Sequence, residues 1–155
     1  MIFVKREKKL GFSLVELVVV IAIAATLLAI GVPNFNKYIQ NSNLKDAARS
    51  LEGDIQIVKQ RAVAESANYT ISFDGVNNSY TINTVPAITR NLTSFGNIIL
   101  ADTGNINNNT ITLLSRGTAD TTSNHDTITL RNVVLSLASI QTTSMGRVNV
   151  SYTIK

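Results

Sequence analysis

The sequence contains no cysteine. Neither disulfides nor thiolate zinc sites can therefore hold the fold, and its stability must come from packing. Charge is also scarce, at 15% Asp, Glu, Lys and Arg, and the formal excess of +4 is unevenly spread. Lys5, Arg6, Lys8 and Lys9 against Glu7 place +3 of it before Leu10, while from Asn34 onward ten Lys/Arg face eight Asp/Glu. So small an excess gives no ground for a polyanion partner. Histidine occurs once, as His125, and there is no Gly-rich phosphate loop or metal-ligand cluster. In "SNHDT", His125 stands with Ser123 and Asp126, the residue types of a nucleophile, base and orienter. Neighbours in a turn do not converge on a substrate, so we expect a turn His-Asp pair in a non-enzymatic chain. No catalytic residue, cofactor or metal is expected. Asn-x-Ser/Thr matches such as Asn68-Tyr69-Thr70 are what chance gives in an Asn- and Thr-rich chain.

What is present divides into three regions. The 155 residues, 45% of them hydrophobic, suffice for one modest core in addition to the N-terminal segment. A basic head, Met1 to Leu10, precedes a run from Phe12 to Val32 in which Glu16 is the only charge. As a helix this run spans roughly 30 Å, the thickness of a bilayer's hydrocarbon core. The third region, Asn34 to Lys155, has no second apolar run long enough to span. The positive-inside bias keeps the head cytoplasmic and exports the large domain. A secretory signal peptide cut at Ala22-Ile23-Ala24 fits less well. The apolar run exceeds the usual signal core of about 7–15 residues, holds a charge, and continues into a helical pattern.

Leu44, Ala47/Ala48, Leu51, Ile55, Val58 and Ala62 recur at three- and four-residue steps, with Lys45, Arg49, Glu52, Lys59 and Arg61 between them. One buried stripe and one wet face are the expectation. Pro33 lacks an N–H and clashes with the preceding turn, which predicts a kink near Ile30 to Pro33. From Tyr69 the pattern becomes β. Tyr69, Ile71, Phe73 and Tyr80, Ile82 alternate around Asp74-Gly75 and Asn77-Asn78, a hairpin pattern. "NIIL", "TITLLSR", "DTITLRN", "VVLSLASIQTT" and "RVNVSYTIK" follow as strands. Thr84 to Asn109 reads as a variable surface loop with one strand.

The stretch "KKLGFSLVELVVVIAIAATLLAIGVPNF" closely resembles the signal of type IV pilins and pseudopilins: a basic leader ending in Gly11, then Phe12, and Glu16 five residues after the glycine. The resemblance implies cleavage after Gly11 by a prepilin peptidase, methylation of the Phe12 amine and a helix-kinking role for Pro33. It implies a leader at 1–11, a transmembrane and assembly helix at 12–33 and an exported domain at 34–155, helical to about 67 and then β. The expected fold is α+β and type IV pilin-like, a long helix with a membrane-spanning and an amphipathic half packed on an antiparallel sheet. Expected partners are other pilins or pseudopilins, the peptidase, the inner-membrane assembly platform and the membrane itself.

A carboxylate in hydrocarbon costs several kcal/mol unless paired or protonated. Cleavage supplies a partner for Glu16, the new Phe12 amine, a cation at neutral pH. Pairing across subunits would neutralise both charges and set the register of assembly.

Later stretches, "AARSLEGDIQIVKQRAVAES", "LSRGTADTTSNHDTITLRN" and "SIQTTSMGRVNVSYTIK", resemble the GspH/FimT group. Arg116-Gly117 and Gly146-Arg147 occupy its late Arg-Gly turn and closing Gly-Arg. The resemblance implies a minor subunit of type II secretion or of a type IV pilus. Some FimT-like proteins bind DNA through Gly-Arg and a second arginine. Here Val148 and Asn149 follow Arg147, so that second arginine is missing. The alternative, a DNA-uptake receptor at a pilus tip, would be favoured by a basic surface groove around Arg116, Arg131 and Arg147. Otherwise Gly146 makes a positive-φ turn and Arg147 is a solvated strand residue.

Overall fold

The computed structural model describes residues 12–103, 106–121 and 125–155; residues 1–11, including the leader and Gly11, and Ser123 lie outside the described residues. Among the described residues one α-helix, α1 (Leu14–Ala64), is followed by nine strands. These are β1 (Tyr69–Asp74), β2 (Ser79–Ile82), β3 (Ile88–Asn91), β4 (Ile99–Asp102), β5 (Thr110–Leu113), β6 (Ala119–Asp120), β7 (His125–Arg131), β8 (Leu137–Thr143) and β9 (Val148–Thr153). The chain forms two compact units that part after Asn36.

In the first unit every described residue is exposed. α1 is, among the described residues, the one helix long and apolar enough to cross a membrane, and none of its apolar window is buried within the chain. Its polar side chains bond locally. Thr26 Oγ1 donates to the Ile23 carbonyl at 2.7 Å and Asn34 Nδ2 to the Ile30 carbonyl at 3.2 Å. The helix runs on through Pro33.

In the second unit, Lys37–Lys155, α1 buries Leu44, Ala47, Ala48, Leu51, Ile55, Val58 and Ala62, the stripe expected from the sequence. The helix stops because Ser66 turns left-handed (φ 49°). The Ser66 N–H then donates to Val63 and the Ala67 N–H to Ala62, satisfying carbonyls that the helix end would orphan. Two antiparallel sheets supply the rest of the core, in the orders β3-β2-β1-β5-β6 and β4-β7-β8-β9. Ile71 faces Ile82 and Phe73 faces Tyr80 across the β1–β2 hairpin, the pairs its alternation suggested. Tyr80 Oη donates to Asp54 Oδ2 at 2.7 Å, fastening hairpin to helix. Burial first, then that bond, raise the Tyr80 phenol well above its ordinary value, so it stays neutral. Asn78 Oδ1 accepts the Leu100 N–H at 2.9 Å, joining the first sheet to β4 of the second.

The fold is the expected long helix on antiparallel sheet, with the described strands divided between two sheets. Finer expectations need correction. Thr84 to Asn109 holds two strands, β3 and β4; β3 is exposed throughout and carries no alternating burial to betray it. The stretch "VVLSLASIQTT" yields a strand only from Leu137, because Leu135 adopts φ 63° and turns the chain. His125 and Asp126 open β7 and do not lie in a turn.

Candidate functional site

Two places bear on function: the N-terminal turn of α1 and the paired loops near the C-terminus. At the first, Ser13 caps the helix, its Oγ accepting the Glu16 N–H at 3.1 Å. Ser13-Leu14-Val15-Glu16 is thus the S-x-x-E pattern that seals a helix start. Glu16 sits in the first turn, where the positive end of the helix dipole favours a carboxylate. Phe12 lies just before the cap and is exposed. A cationic amine on Phe12 would face the same positive helix end, where a carboxylate in the first turn would offset its charge. The cap escaped the sequence reading, although serine three residues before glutamate at the head of an apolar run is its usual signal.

At the second place the Arg116-Gly117 and Gly146-Arg147 turns meet. A Cβ on Gly146 would stand 2.5 Å from the Gly117 carbonyl oxygen and 3.2 Å from Lys59 Nζ. Both glycines have positive φ, 68° and 81°, so each needs glycine's freedom while the turns stack backbone to backbone. Lys59 Nζ donates to the Gly146 carbonyl at 2.9 Å and ties the stack to α1. A groove of about 340 Å³ opens here between Gln56, Lys59, Gln60 and Arg147. Arg116 is engaged locally, its Nε donating to Thr118 Oγ1 at 2.8 Å. Arg147 is exposed and immediately precedes β9, one residue short of the strand position expected for it.

Arg131 does not join them. It pairs with Leu137 at one end of β8, whereas the Arg147 carbonyl accepts from Thr143 N–H at the other. The two ends are about 20 Å apart at the rise of a strand. Arg116, Arg131 and Arg147 thus do not cluster in one place, and the DNA-uptake alternative lacks the grouping that would favour it. His125 is exposed and Asp126 buried, so strand alternation sends the two side chains to opposite faces. Among the described residues no group of three His, Cys, Asp or Glu could hold a metal ion.

Comparison with known proteins fits this geometry. Residues 6–32 match the prokaryotic N-terminal methylation motif. The fold is similar to that of the minor pseudopilin EpsH from the Type 2 Secretion System of Vibrio cholerae, with a TM-score of 0.56 at 12% identity over 70% of this chain and 96% of that one. No curated protein matches the sequence. The chain thus joins an N-terminal methylation motif to a type IV pilin-like α+β fold.

Proposed function

We propose that this protein is a non-enzymatic minor subunit of a type IV filament machine, a pseudopilin or minor pilin. A prepilin peptidase cuts after Gly11 and Phe12 becomes the methylated N-terminus. The apolar half of α1 anchors the chain once in the cytoplasmic membrane, with the head inside and the domain exported, until the assembly platform feeds it into a filament beside other pilins or pseudopilins. Glu16 neutralises the Phe12 amine of a neighbouring subunit, and Pro33 loosens the helix where subunits stack.

One observation carries this reading: the methylation motif leads into a helix with no buried residue before Leu44, attached to a domain that completes its own core. A helix so exposed needs lipid or other helices around it. Similarity to a type II secretion pseudopilin favours the pseudopilus over the pilus.

Crosslinking the tagged chain in its native cells, with mass spectrometry of what it captures, tests the reading. Secretion pseudopilins among the captured proteins would support the pseudopilus, and major and minor pilins would place the chain in a pilus instead. Capture of neither would overturn the filament reading.

A further inference from the structure

We propose that the β7–β8 turn is a second membrane contact, which docks one end of the exported domain on an anionic phospholipid surface. This inference rests on the membrane-anchored reading above and adds a site to it.

The turn is built into the fold by a buried residue. Asn132, almost wholly buried, donates from Nδ2 to the Gln40 carbonyl at 3.1 Å and to Asn41 Oδ1 at 2.9 Å, while its Oδ1 accepts the Ser136 N–H at 2.9 Å. The end of the chain is held at the same spot. Lys155 N–H donates to Ser136 Oγ at 3.0 Å, and Asn41 Nδ2 to the Lys155 carbonyl at 3.4 Å. These bonds fix the turn beside residues 40–41 of α1, and the chain enters this unit at Lys37, just after Pro33 and the apolar run. This is the end of the domain that connectivity brings to the bilayer.

What the turn displays suits that place. Val133 is 61% exposed and Leu135 52% exposed, and Leu135 is held at φ 63°, a conformation uncommon for a bulky residue. Tyr38 and Ile154 are exposed nearby in the chain segments so fixed. Residues 34–45, 131–137 and 151–155 contain Lys37, Lys45, Arg131 and Lys155 but no Asp or Glu. The next residue, Asp46, lies 3.9 Å from Arg49, and apolar side chains, a tyrosine and cations gathered at one end of a domain are the chemistry of an interfacial contact with anionic headgroups. The opposite end of the same sheet differs. Met145 is exposed there, but its turn sits beside Lys59, nineteen residues farther along α1 than Gln40, or about 28 Å at the helical rise.

The absence of cysteine permits single labels. Nitroxides at Val133→Cys and Met145→Cys, each in the full chain at one copy per nanodisc of phosphatidylethanolamine and phosphatidylglycerol, report accessibility to a water-soluble nickel quencher and to oxygen. The label at 133 should lose nickel accessibility and gain oxygen accessibility, while that at 145 stays open to nickel. Exchanging phosphatidylglycerol for phosphatidylcholine, or adding Leu135→Asp, should restore nickel access at 133. Equal accessibility at the two sites in discs that hold the chain would overturn the proposal. So would protection at 133 that appears only when a disc holds several copies, which would assign the turn to a contact between subunits. Indifference to the lipid exchange would overturn the anionic specificity. Failure of the chain to enter discs would overturn the anchored reading itself.

Discussion

The two halves of α1 share one backbone geometry but differ in what completes them. From Leu44 to Ala62 the helix has a buried stripe, and the partners that bury it are in the same chain. From Phe12 to Asn36 apolar residues predominate and every residue is exposed. Folding the first kind is an internal affair of hydrophobic burial. The second kind acquires its environment from outside, first as lipid and then, on the reading proposed above, as the helices of neighbouring subunits. On that reading the membrane half is where assembly is decided, and the other half is where domain stability is decided.

The largest effect that would break this division is expected at Glu16. Glu16→Ala should leave peptidase cleavage intact and the domain folded, yet remove most of the chain from filaments, measured as its share in sheared filament fractions. Normal incorporation would contradict the pairing of Glu16 with Phe12. Next, matched leucine truncations sharpen the comparison. Leu51→Ala, in the core, should cost about 2–5 kcal/mol of domain stability, whereas Leu28→Ala, outside it, should stay within about 0.5 kcal/mol. Denaturant titration of the detergent-solubilised chain, followed by a domain signal, checks both. Gly146→Ala should destabilise by about 1–3 kcal/mol, since its Cβ meets the Gly117 backbone in a positive-φ turn. Loss there should exceed that of Gly75→Ala, where a Cβ meets nothing within 4 Å and φ is not positive.

The smallest effect concerns pH. Hydrogen bonds from Tyr69 and then Arg61 hold the Glu65 carboxyl below its ordinary value of 4.5, and Asn77 does the same for Asp74 below 3.8. A carboxyl depressed in the folded state binds fewer protons there than in the unfolded chain. Its contribution is therefore present above the ordinary value and lost as pH falls through the folded one. Both groups are exposed, so the effect is slight. Glu65→Gln should flatten the fall of Tm below pH 4.5 without changing Tm at neutrality by more than a degree or so.

The same division explains what the sequence disclosed. The apolar run and the Leu44–Ala62 stripe were legible because hydrophobic periodicity records burial, and both are extreme cases of it. Ile71/Ile82 and Phe73/Tyr80 could be read for the same reason. β3 could not, since Ile88–Asn91 has no buried face, nor β6, which is two residues long. Val133 to Leu135 resembles strand in sequence because apolar residues are usually inside, yet Val133 and Leu135 are exposed in a turn. Asn132 gave no pattern at all, because a polar residue that holds a turn to a helix through two side-chain bonds depends on partners about ninety residues away. The stacking of Gly117 on Gly146 was similarly hidden. Their conformational need could be anticipated from the sequence, but not that each is the other's neighbour.

The central claim, that the N-terminal half of α1 is a processed assembly segment, meets its most direct test in the N-terminus of the protein recovered from native cells. Mass spectrometry should find the chain beginning at N-methylated Phe12, and Gly11→Glu should leave the leader uncut. A native chain that keeps residues 1–11, or one that begins beyond Ala24 as a signal-peptide product would, contradicts it.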